Sequence, residues 1–151
     1  MALRNIITND DPVLHTKCRQ IVKFDEQLAV LMDDIIETLH SVENAAGLAA
    51  PQIGILRRVA VVDVGTGAIE LINPTIVEAR GKQFGPEGCL SYPDRYEDVE
   101  RPAYVKVESH SRSGAPFFVE GEDLLARALC HEIDHLNGIV FLDKVKNLYR
   151  G

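Results

Sequence analysis

The run Cys130-His131-Glu132-Ile133-Asp134-His135-Leu136-Asn137-Gly138 constrains this chain more than any other stretch. Two histidines four apart lie about one helical turn from each other, with Cβ atoms roughly 5–6 Å apart on one face. One divalent cation can accept both imidazoles at that spacing. A carboxylate directly after the first histidine sits beside the ion, not on it, placed to take a proton from water. The flanks are those of a helix. Gly121 precedes Glu122 and Asp123, which suit the positive end of a helix, and Asn137-Gly138 is a C-terminal stop. Between them Leu124, Ala128, His131 and His135 fall on one stripe, with Leu125, Leu129, Glu132 and Leu136 alongside. The histidines therefore continue an apolar, inward face. One histidine there is most simply a hydrogen-bonded core residue; two at this spacing around a glutamate favour a metal-bearing helix.

At 151 residues and 46% hydrophobic, the chain fits one domain spanning 1–151 with a substantial core. Sixteen basic against 23 acidic residues give a net charge of −7, which argues against an extended nucleic-acid-binding face. Three cysteines are an odd, sparse set for a disulfide scaffold and suit a reducing compartment. The N-terminal residues 1–11 are too polar for a signal sequence, and no apolar run approaches the ~20 residues that span a bilayer. The expectation is a cytoplasmic protein with no membrane association.

Residues 1–24 read as an irregular arm, with a turn at Asp11-Pro12 and Val13, Leu14, Ile21 and Val22 as anchors. From 25 to 41, Leu28, Leu31, Met32, Ile35, Ile36 and Leu39 recur at helical spacing opposite Asp33, Asp34, Glu37 and Thr38, which predicts an amphipathic helix. His40 reads as a solvated residue near its end. Residues 43–54 are dense in small side chains, which permit close backbone approach to another element or a ligand, and equally a tight turn. Strands are predicted over 59–64, 68–73, 75–80, 104–108 and 117–120, with turns at Gly65-Thr66-Gly67 and Ser113-Gly114. Helix, antiparallel strands, then helix is an α+β order. Antiparallel strands are expected to pack around the central metal-binding helix.

A catalytic metal needs a third protein ligand and an open position. The candidates are Cys18, Cys89, Cys130, further histidines and several carboxylates. Cys130 adjoins His131 and points about 100° away from it, which suits a small buried hydrophobe. Cys18 has no motif around it and defaults to packing. Cys89 lies in Gly85-Pro86-Glu87-Gly88-Cys89-Leu90-Ser91, a turn-rich segment in which a thiolate can approach a metal, and bare chemistry favours it.

Three stretches, Ala46-Gly47-Leu48-Ala49-Ala50-Pro51-Gln52, Glu87-Gly88-Cys89-Leu90-Ser91 and His131-Glu132-Ile133-Asp134-His135-Leu136-Asn137-Gly138, resemble the signature motifs of peptide deformylase in order and approximate separation. The resemblance covers nearly the whole chain. It implies removal of the N-formyl group from formylmethionyl nascent polypeptides, with release of formate. It makes Cys89, His131 and His135 the metal ligands with water in the fourth position, and Glu132 the general acid/base. Gln52 through its side-chain amide and Leu90 through its backbone N–H become donors to the developing oxyanion. Ala45, Ala46, Gly47, Glu87 and Gly88 are expected to bound the substrate groove. An unbranched apolar pocket for methionine is expected from Leu124, Ala128 and the stem of Arg127. The family's usual metal is iron(II), and zinc, nickel or cobalt can be found in a preparation; two histidines and a cysteine alone suit zinc. The implied state is a monomer that meets the ribosome at most transiently.

Three departures stand out. Ala45 replaces the first glycine of the usual Gly-x-Gly opening, and Cys130 stands where glutamine is common. The chain also runs only to Gly151, which leaves little room for the long C-terminal helix of some members. Two other functions share these residues: a metallopeptidase of the His-Glu-x-x-His type and a non-catalytic metal-binding protein. The cysteine and the glutamine-bearing motif favour deformylase over the first, and the presence of Glu132 and Gln52 over the second.

Overall fold

A computed structural model describes residues 2–145. The first helix, α1, spans Glu26–His40, and Asp25 caps it by accepting the Leu28 N–H at 3.2 Å. Leu28, Met32, Ile35 and Leu39 form its buried stripe, as the periodicity predicts. The second helix, α2, spans Asp123–Leu136 and carries His131, Glu132 and His135. Leu124 departs from the predicted inward stripe and is 57% exposed, because it sits in the first turn, beyond the edge of the core.

Between the helices lies a three-stranded antiparallel sheet in the order β1 (Gly47–Ala49), β2 (Val59–Val62), β3 (Ile69–Ile72). Its strands present alternate residues to opposite faces. Leu48, Val59 and Val61 pack with the stripe of α1. Ala49, Ala60 and Val62 pack with Ala126, Leu129, Cys130 and Ile133 of α2. Burial on both faces explains why Val59–Val62 is apolar without alternation. The small residues of 47–50 thus serve as a strand and the start of a 3-10 turn, Ala50–Ile53, wedged between two helices.

A second sheet orders β4 (Thr75–Arg80), β7 (Tyr104–His110) and β8 (Pro116–Glu122), and its central strand sends Val105 and Val107 into the α2 side of the core. The predicted hairpin turn at Ser113-Gly114 joins β7 to β8. A long hairpin of β5 (Gln83–Cys89) and β6 (Tyr92–Arg101) corrects the reading of 85–91 as turn-rich. Gly85, Pro86 and Gly88 lie in a paired strand. Its register shifts between Gly88 and Cys89, so that Gly88 faces Tyr96 whereas Cys89 faces Tyr92. That irregularity breaks the alternation of sides at the cysteine.

The N-terminal arm runs across the end of α2. Leu14 and Ile21 are buried anchors as expected, but Val22 is 80% exposed, since Ile21 takes the inward position and its neighbour must face out. The Cys18 N–H and the Arg58 guanidinium both reach the Leu136 carbonyl, at 2.9 and 2.8 Å, so the helix end is capped from two segments. Gly138, at φ +75°, passes so close to the arm that a Cβ there would stand 2.8 Å from the His15 carbonyl group. His40 is exposed but not merely solvated: its Nε2 lies 2.8 Å from Asp63 Oδ2. No described helix is long and apolar enough to cross a membrane. The short C-terminus expected to exclude a long helix, residues 146–151, lies outside the described residues.

Candidate metal centre

Helix α2 presents His131 and His135 on one side, with ring centroids 4.9 Å apart. The end of β5 brings Cys89 to them, and its Sγ lies 3.3 Å from His135 Nε2. One ligand atom from each of the three residues lies within 4.8 Å of the others. A tetrahedral ion with bonds of about 2.0–2.3 Å holds its ligand atoms roughly 3.3–3.8 Å apart. The three donors therefore fit a single divalent ion with small adjustments, and they are a thiolate and two imidazoles, the set that soft and borderline metals take. His135 Nδ1 and Glu132 Oε1 are among the buried polar atoms that have no hydrogen-bond partner within the described residues.

Support for the ligands comes from a buried charge network that the sequence only half revealed. His131 Nδ1 lies 2.5 Å from Glu87 Oε2, so the ring donates its Nδ1–H to the carboxylate and keeps the Nε2 lone pair for a metal. Glu87 in turn accepts from Arg101 Nε at 3.0 Å and Nη2 at 2.6 Å, and from Arg127 Nη1 at 2.8 Å. Burial alone would raise the Glu87 carboxyl, but hydrogen bonds from His131 and Arg101 outweigh it and hold the group far below its usual range. Arg101 also donates to Asp134 Oδ2 at 2.6 Å, so one guanidinium joins two carboxylates. Burial, together with the neighbouring His131, pushes His135 well below its ordinary value, which keeps it neutral as a metal ligand must be.

Glu132 stands next to this cluster, buried, with Oε2 4.0 Å from His131 Nε2. Burial pushes its carboxyl up to about 7, against the pull of His131. Its side chain lies directly on Gly47: a Cβ at that glycine would be 2.5 Å from Oε2. A cavity of about 430 Å³ opens here, and Ala45, Ala46, Gly47, Glu87, Gly88, Cys89, Leu90, Leu124, Arg127, Ala128, His131 and Glu132 all line it. The anticipated groove and pocket residues therefore share one space. Two of them are committed elsewhere. The Glu87 carboxylate is taken by His131 and two arginines, and Arg127 also donates to the Val99 carbonyl at 3.1 Å. Gln52 is buried behind Cys89, with Nε2 3.6 Å from Sγ.

A sequence profile described as polypeptide deformylase matches residues 3–151. This chain belongs to the polypeptide deformylase family. It is 55% identical over 145 residues to a peptide deformylase of Alkaliphilus metalliredigens, covering 96% of this chain and 98% of that one. Its fold superposes on a peptide deformylase from Legionella pneumophila with a TM-score of 0.92 at 40% identity, covering 97% and 88% of the two chains. A class I type b peptide deformylase from Acinetobacter baumannii, bound to Met-Ala-Ser, matches with a TM-score of 0.89 at 29% identity over 95% and 99%. Deformylases are metalloenzymes, and the Cys89, His131 and His135 cluster is where this one has the donors for a metal.

Several participants escaped the sequence reading. Ser91 has no role that the sequence assigns, yet its hydroxyl meets Gln52. Arg101 has no local sequence signal for its bond to Glu87, since β-pairing across a hairpin brings them together. Tyr96, exposed beside Gly88, lines the cavity, and its ring would have to move to admit a side chain at that glycine.

Proposed function

We propose that this chain, as one catalytic domain over 1–151, hydrolyses the N-formyl group from formylmethionine at the start of nascent polypeptides. The observation that carries the reading is the convergence of Cys89, His131 and His135 beside a buried Glu132 at the wall of the cavity. A thiolate and two imidazoles would hold one divalent metal, iron(II) natively, with zinc, nickel or cobalt able to take its place. When bound, the metal supplies Lewis acidity, which makes water more acidic and the formyl carbonyl more electrophilic.

Everything else falls to the protein. Glu132 takes the proton of the attacking water, whose oxygen bonds to the formyl carbon. Charge develops on the carbonyl oxygen, and Gln52 Nε2–H and the Leu90 N–H donate to it. The carbon–nitrogen bond then breaks, and Glu132 returns its proton to the leaving amine. Formate and a free methionine N-terminus result. The site reuses one carboxyl as base and then acid, so a value near neutrality suits both steps. Gly47 and the edge of β1 border the groove, where substrate backbone can pair. Leu124, Ala128 and the Arg127 stem offer the methionine side chain its apolar wall. The substrate is a chain leaving the ribosome, so the enzyme works in the cytoplasm with only transient ribosome contact; its proposed state is a monomer.

The test is formate release from formyl-Met-Ala-Ser by protein prepared without oxygen and loaded with iron(II). Acetyl-Met-Ala-Ser, which adds a methyl on the carbonyl carbon, should be a very poor substrate. Equal cleavage of the two would sink the proposal.

A further inference from the structure

The donor assigned to Gln52 needs an N–H aimed in one direction, and its surroundings provide the means. Gln52 Oε1 accepts the Ala49 N–H at 2.9 Å. A backbone N–H can only donate, so the amide oxygen must face Ala49 and the amide nitrogen must face the other way. Nε2 lies 3.1 Å from Ser91 Oγ and 3.6 Å from Cys89 Sγ. Its two N–H bonds diverge in the amide plane. Nε2 donates to both the Ser91 hydroxyl and the Cys89 sulfur, and the sulfur lies on the side where the metal donors converge. Both Gln52 and Ser91 are buried. Two residues of the arm hold their backbones: Ile7 N–H donates to the Gln52 carbonyl at 2.7 Å, and Asn9 N–H to the Ser91 carbonyl at 3.0 Å.

We propose that Ser91 is a positioning residue for the reaction: its hydroxyl oxygen takes one Gln52 N–H and so aims the second at the formyl oxygen. The proposal rests on the deformylase reading of Gln52. The terminal torsion of a glutamine is soft, so an amide that lost Ser91 would rotate to find another partner for its buried N–H. Its remaining donor would then miss the point where charge develops. That loss belongs to the transition state more than to the bound substrate, so it falls on kcat and spares KM.

Ser91→Ala is the test, with metal content measured beside activity. The expected result is a kcat on formyl-Met-Ala-Ser lower by about 10- to 100-fold, less than the ~10²–10³ that outright loss of such a donor brings. KM should stay within about two-fold and one metal per chain should remain. In a Gln52→Ala background, Ser91→Ala should lower kcat no further, since no amide is left to aim. Zinc-loaded protein labelled with nitrogen-15 at glutamine gives a reading independent of turnover: one Gln52 side-chain amide proton should shift when Ser91 is replaced. Ser91→Cys, close in volume and a weak acceptor, should give the same pattern and serves if the alanine variant does not fold. The proposal is overturned by a kcat within two-fold of wild type, by full additive loss in the Gln52→Ala background, or by an unmoved amide signal. A wild-type protein that released no formate would overturn the deformylase reading, and the amide signal would still decide the Ser91 contact.

Discussion

A methyl group on Gly47 would stand 2.5 Å from Glu132 Oε2 and 2.8 Å from its Cγ and Cδ. The glycine is therefore the floor on which Glu132, the proposed proton carrier, rests, in addition to lining the cavity. Gly47→Ala should displace Glu132 and lower kcat about 100-fold, the scale of general acid–base catalysis, while leaving the metal in place. Steady-state kinetics with metal analysis checks it, and a normal kcat would mean that Glu132 has room to yield. Cys89 makes the opposite case. Cys89→Ala should lose metal and activity together, whereas Cys18→Ala and Cys130→Ala should retain both. Cys18 and Cys130 are buried hydrophobes whose thiols burial pushes up to about 11, far from the thiolate a ligand requires. Metal stoichiometry of the three variants decides the matter.

At the scale of elements, the hairpin of β5 and β6 and the helix α2 are joined through Glu87, Arg101 and Asp134, with Arg101 bridging both carboxylates. Removing one member of a buried ion network leaves uncompensated charge and costs about 3–5 kcal/mol. Arg101→Leu should therefore lower stability by that order in urea unfolding. It should also weaken metal binding about 10- to 100-fold, because Glu87 would hold His131 less firmly. A stable variant with wild-type metal affinity would remove the network from the account of the site. Asp134→Asn should destabilise less, since Asp134 is partly exposed and touches no ligand.

At the scale of the whole molecule, the arm is fastened to α1 through Asp34, which accepts from the Arg4 guanidinium at 2.7 and 2.9 Å and from the Ala2 N–H at 2.8 Å. Burial would raise the Asp34 carboxyl, but these bonds outweigh it and hold the group below its usual value. A carboxylate depressed in the folded state contributes its stability in full above the unfolded value, 3.8, and loses it as pH falls towards the folded one. Asp34→Asn should thus lower Tm at pH 7, and the gap from wild type should close below about pH 4. Thermal melts across that range measure it; a gap that widens in acid would reverse the sign of the argument.

Local periodicity was sufficient for both helices, because each buries one stripe and the stripe is written at intervals of three and four residues. The sequence also determined β2, β3, β4, β7 and β8 to within a few residues, and with them the α+β class. The pair His131 and His135 was legible for the same reason, since both candidate ligands ride one helix. What only the tertiary structure decided lies between elements distant in sequence. Residues 43–54 read as a close backbone approach or a tight turn, and 85–91 as turn-rich, because glycine, alanine and proline carry weak strand propensity; pairing partners supplied the strands Gly47–Ala49 and Gln83–Cys89 that propensity did not. The approach of Cys89 to the histidines depends on a hairpin register, the seat of Glu132 on a strand from another part of the chain, and the orientation of the Gln52 amide on the Ala49 N–H and the Ser91 hydroxyl together. Spacing along a chain reports which face a residue takes on its own element. Which atom it meets across the core is set by packing, and no local pattern carries that information.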